Sequence, residues 1–96
     1  MVTASKTIRT HVSLGRVVMT PAANETLTAK DIYAALARHR SGDWGTVCKA
    51  DQTANDTALK YGGRLLSAYT NADDEKFWII TEADRSYTTI MLPDDY

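Results

Sequence analysis

From residue 64 onward the chain is written as three short apolar runs, RLLSAY (64–69), KFWIIT (76–81) and YTTIML (87–92), separated by polar turns. Runs this short, rich in aromatic and β-branched residues and punctuated by turn formers, predict two successive hairpins and therefore an antiparallel meander. Turns centred near Ala72 and Asp73, and on Asp84, set Tyr69 opposite Lys76, Ser67 opposite Trp78 and Leu65 opposite Ile80. They also set Thr81 opposite Tyr87 and Ile79 opposite Thr89. Alternation then places Leu65, Ser67, Tyr69, Trp78, Ile80, Thr88, Ile90 and Leu92 on one face. The other face takes Arg64, Leu66, Ala68, Phe77, Ile79, Thr81, Tyr87, Thr89 and Met91. Both faces are apolar enough to need a cover, which helices, the N-terminal segment or a second subunit would supply. A homodimer is one such solution.

Upstream, the segment LGRVVMT (14–20) reads as a short strand stopped by Pro21, and PAANETL (21–27) as a turn or loop. Thr28 and Asp31 have capping-box spacing, and Ile32, Ala35, Leu36 and His39 recur at helical spacing, which predicts a helix over residues 29–40. Ser41-Gly42-Asp43-Trp44-Gly45 ends it. A second helix runs from a cap at Asp51 to about Tyr61, with Ala54, Ala58 and Leu59 inward and Gly62-Gly63 closing it. The expected class is therefore α+β: a short strand, two helices and a three-stranded antiparallel meander, with the first strand able to make the sheet four-stranded. Residues 1–13, polar and without periodicity, are expected to be a flexible extension, and 14–96 a single domain.

Chemistry is constrained as much by what is missing. One cysteine, Cys48, permits no internal disulfide, and no Cys/His cluster has metal-ligand spacing, so no metal and no cofactor is expected. No phosphate-binding glycine loop, dinucleotide fingerprint or nucleophile triad is present, which points away from an enzyme. No apolar run approaches the roughly 20 residues that cross a bilayer, and no signal region is visible, so the expectation is a cytoplasmic chain without a membrane anchor. Net charge is −1, but residues 1–50 carry seven Lys/Arg against three Asp/Glu, while residues 51–96 carry nine Asp/Glu against four Lys/Arg. That separation can steer a charged partner.

The meander brings charges together at its ends. Asp73, Asp74 and Glu75 in the first turn share an end with Asp94 and Asp95, giving an acidic edge suited to a basic protein groove of the kind that holds nucleic acid. Asp43 and Trp44 add a candidate anchor for a partner, Trp44 being either that or a lid on the core. At the opposite end Glu82, Arg85 and Arg64 converge near the Ser67 and Thr88 hydroxyls. With His39 as an acid or base, they form the set a metal-independent ribonuclease would need. His11 is the weaker histidine candidate.

The strings SGDWG (41–45), RLLSAY (64–69), WIITEADRS (78–86) and TTIMLP (88–93) resemble a family of small bacterial proteins with plasmid-related or restriction-associated labels. The likeness covers about residues 32–96 and implies a mobile-element context without supplying catalytic residues. Helices followed by a meander also resemble, in arrangement alone, barnase/RelE-like ribonucleases, although the meander lacks their evident basic surface. The leading expectation is an inhibitor module that binds a host defence or nucleic-acid-binding protein, of anti-CRISPR or anti-restriction type, without itself binding nucleic acid. A ribonuclease toxin is the alternative, and a structural or regulatory dimer the second.

Overall fold

A computed structural model describes residues 12–96. His11 and most of the expected extension lie outside them. The meander is present as β2 (Leu65–Thr70), β3 (Lys76–Thr81) and β4 (Tyr87–Met91), and β1 (Arg16–Met19) joins it beside β4. The sheet is four-stranded in the order β1-β4-β3-β2, and β1 runs parallel to β4 while the other pairs are antiparallel. The fold class is α+β.

Both hairpin registers differ by one residue from the expected ones: Tyr69 pairs with Phe77, and Thr81 with Thr88. The first difference comes from Asn71. Its side-chain oxygen accepts from the backbone N–H of Asp73 and of Glu75, at 3.0 and 2.8 Å, building a longer turn with Asp74 in a left-handed conformation (φ 64°). In the second, Asp84 accepts from the Ser86 N–H and Arg85 takes the left-handed position (φ 61°). Because a one-residue slip reverses a strand, two slips in succession turn over β3 alone. Phe77, Ile79 and Thr81 face the core in place of Trp78 and Ile80, alongside Leu65, Ser67, Tyr69, Thr88 and Ile90 as expected.

Three helices cover that one face. The 21–27 segment is not a loop: Thr20 accepts from the Ala23 N–H, Pro21 pre-sets the first helical φ, and α1 (Pro21–Thr26) follows. The Thr28/Asp31 capping box opens α2 (Ala29–Arg40). α3 (Lys49–Tyr61) starts two residues before the expected cap, with Cys48 in the cap position, and turns Asn55 and Ala58 inward while Ala54 is exposed. Ala23, Leu27 and Ala35 pack on Tyr69, Phe77, Ile79 and Ile90; a second cluster joins Val12, Trp44, Ala58 and Leu65. The other sheet face is partly covered by the 3-10 turn Pro93–Asp95 and by Tyr96, whose ring meets Trp78 edge-on at 5.6 Å. Among the described residues no helix is long and apolar enough to cross a membrane.

Candidate functional site

The residues nominated for chemistry converge only in part. His39, on the last turn of α2, is 0% exposed and sits under the sheet. Its Nδ1 lies 2.6 Å from Ser67 Oγ and its Nε2 2.8 Å from Thr81 Oγ1; Thr81 Oγ1 is 2.8 Å from Thr88 Oγ1, which donates to the Leu14 carbonyl at 2.7 Å. The protons of this thread are fixed by elimination. A carbonyl only accepts, so the Thr88 proton is committed to Leu14, and Thr81 must donate to Thr88. Thr81 then has no proton left for the ring, so Nε2–H donates to it, and in a neutral ring Nδ1 accepts from Ser67. The thread thus runs one way from Ser67 on β2 to the strand entry at Leu14, and ties α2 to three strands.

Burial first, and the Arg85 charge second, push the His39 pKa from 6.5 down to about 4. The ring is therefore neutral at neutral pH, and with its one proton on Nε2 it leaves Nδ1 free to accept from Ser67. Trp44 closes it from the side, its ring edge-on at 5.7 Å. The indole itself is 5% exposed and its N–H donates to Asp56 at 3.1 Å, so Trp44 is a lid on the core and presents no anchor surface. A substrate cannot reach His39.

Arg85 does not act as an anion clamp either. Its guanidinium donates to the carbonyls of Gly63 (2.6 Å), Glu82, Ala83 and Ala58, binding the end of α3 to the β3–β4 turn. Arg64 and Glu82 do meet, with nitrogen and oxygen 3.4 Å apart. Arg64 also donates to the Tyr96 hydroxyl at 3.2 Å, on the sheet face opposite His39. The ribonuclease set is thus divided between the two sides of the sheet.

The acidic residues separate as well. Asp95 accepts from Thr20 Oγ1 (2.6 Å) and from the Leu92 N–H, contacts that lower its pKa in that order, and so belongs to the end of β1. Asp43 is held by Arg38 (2.7 Å) and by the Gly45 N–H, and the Arg38 contact is the main cause of its lowered pKa. Glu75 is half-buried and accepts from Asn71. Asp73, Asp74 and Asp94 are exposed, and none of them is in an ion pair among the described residues. Those residues also bring no three His, Cys, Asp or Glu side chains together as a metal site.

Sequence reasoning missed two organising amides. Asn71 orders the acidic tip, donating to Asp31 and Glu75 as well as accepting from the turn. Asn55 exchanges both hydrogen bonds with the backbone of Leu66, at 2.8 and 3.0 Å, as a neighbouring strand would. A polar residue on the inward side of a helical period was the available signal for Asn55. No protein-family model matches the chain, and no curated protein or solved structure shows significant similarity to it.

Proposed function

We propose that this chain is a non-enzymatic interaction module of a mobile element, acting in the cytoplasm, that binds and blocks a host defence protein of the anti-CRISPR or anti-restriction type. The observation that carries the reading is the β2–β3 tip. Asn71 spends three hydrogen bonds holding the turn and a fourth tying it to Asp31 on α2, so Asp73 and Asp74 are presented on an ordered, exposed platform. Ordered carboxylates lose little entropy on meeting a basic groove, and they repel nucleic acid itself. The mobile-element context comes from the resemblance of the SGDWG and WIITEADRS strings. Support for an enzyme is weaker, because His39 and Arg85 are consumed by the fold.

The test is transformation of a targeted plasmid into a host with active restriction or CRISPR immunity. Expression of the chain should raise transformant numbers at least tenfold, and Asp73→Lys combined with Asp74→Asn should abolish the gain. Asparagine is chosen at 74 because it tolerates the left-handed backbone. Unchanged transformant numbers with the parent chain against both defences refute the proposal.

A further inference from the structure

The two edges of the sheet are treated differently. On β2 the outward-facing backbone of Ala68 is paired with the 44–46 segment: Ala68 N–H donates to Trp44 and the Thr46 N–H donates to Ala68. Leu66 is closed by the Asn55 amide. β1 has no such cover among the described residues. Arg16 donates to Ser86, the residue just before β4, and Thr20 to Ile90 of β4, so by alternation the N–H and C=O of Val17 and Met19 point away from the sheet. Beside this edge lies an apolar groove of about 440 Å3, lined by Val17, Met19, Leu27, Ile32, Tyr33 and Leu36. Val17, Val18 and Tyr33 are 41, 37 and 73% exposed. An open edge flanked by apolar side chains is a pairing template.

We propose that β1 pairs antiparallel with β1 of a second copy about a two-fold axis, joining two four-stranded sheets into one of eight strands. The register follows from the chain. Only Val17 and Met19 present outward groups in extended conformation, since Gly15 is left-handed (φ 62°) and Pro21 has no N–H. Val17 therefore bonds with the partner's Met19, and Met19 with the partner's Val17, which satisfies every outward group of the strand. Val18 then faces the partner's Val18 on the axis, covering two exposed valines. Arg16 comes to stand opposite the partner's Thr20, on whose hydroxyl the partner's Asp95 carboxylate rests. Arg16 is in no ion pair among the described residues, so the same contact supplies complementary charge twice across the axis. On the helix side the apolar groove receives the partner's Val17 and Met19. This interface is independent of the acidic tip, which belongs to the opposite edge.

Two measurements on the full chain test it. Sedimentation from 1 to 500 µM should show a monomer–dimer equilibrium that weakens roughly tenfold on Arg16→Glu and is lost in Val18→Lys, both at exposed positions. In a Cys48→Ser background, Val18→Cys should form a disulfide dimer on mild oxidation, because residues facing each other on the axis stand about 4.5 Å apart at Cα. Val17→Cys should form no disulfide, because Val17 stands opposite the partner's Met19. A parent chain that is monomeric throughout the range, or Val17→Cys crosslinking as readily as Val18→Cys, overturns the proposal. So does a dimer indifferent to Val18→Lys.

Discussion

Acid should destabilise this protein over two separate pH windows, and the first belongs to one residue. His39 is neutral when folded, with its pKa held at about 4, whereas in the unfolded chain it returns to 6.5. Below pH 6.5 the unfolded state therefore takes up a proton that the folded state refuses, and stability falls with falling pH until the folded pKa is reached. The full gap is worth about 3 kcal/mol, of which about 2 kcal/mol is lost between pH 7 and pH 4.5. That is a large share of the roughly 5–15 kcal/mol typical of a domain. The aspartates with lowered pKa, Asp31, Asp43, Asp84 and Asp95, act in the other window: their contributions are intact above their ordinary 3.8 and fade only below it.

Urea titrations at half-unit steps from pH 7.5 to 4.5, followed by tryptophan fluorescence, read the effect directly. The midpoint should fall steadily below pH 6.5 at constant m-value. His39→Gln should start from a lower midpoint, having lost part of the hydroxyl thread, but should stay nearly flat across the same range. His11 is present in both proteins, so the difference between the two curves belongs to His39 alone. Parallel curves for parent and variant would refute the lowered pKa of His39.

Two further predictions concern packing. Gly45 has φ 74°, and a Cβ there would overlap the Ala68 carbonyl that pairs with Thr46, so Gly45→Ala should cost about 3 kcal/mol and lower the thermal midpoint by more than 10 °C. Phe77→Ala should cost about 3–5 kcal/mol, because the ring is 2% exposed among Ile79, Ile90 and Tyr69, whereas Trp78→Ala should cost less than half of that despite the larger ring. The expected hairpin register sets Trp78, in place of Phe77, on the face of Leu65 and Tyr69, so urea unfolding of these two variants reports which of the two rings faces the core.

Most of the elements legible in the sequence are ones that the chain declares locally. The capping box at Thr28 and Asp31 fixes the start of α2, and the three apolar runs fix the meander, since each depends on residues a few positions apart. α1 was also declared locally: Thr20 and Pro21 stand at N-cap and first helical position, a signal read instead as a strand stop. The orientation of β3 was harder, because a single amide at Asn71 lengthens the turn by one residue and reverses six side chains. A pattern of alternating apolar residues on both faces cannot detect that reversal. The parallel pairing of β1 with β4 joins residues some 70 apart in the chain, where no periodicity carries information.

The chemistry of the candidate site was illegible for a related reason. His39, Arg64, Glu82 and Arg85 look alike in a sequence whether they face solvent or each other's backbone. What separates them is the face reversal of β3. Turning Thr81 inward puts its hydroxyl under α2, where it completes the thread from His39 to Thr88, and leaves Glu82 on the outer face with Arg64. A thread of this kind can exist only if every member is satisfied, and no buried side-chain polar atom among the described residues lacks a partner. The same residues that would build a nuclease when gathered on one side of a sheet become, when split across it, a structural pin and a surface ion pair. Among the described residues, the features that packing does not consume are the ordered acidic tip at one edge of the sheet and the outward backbone of β1 at the other.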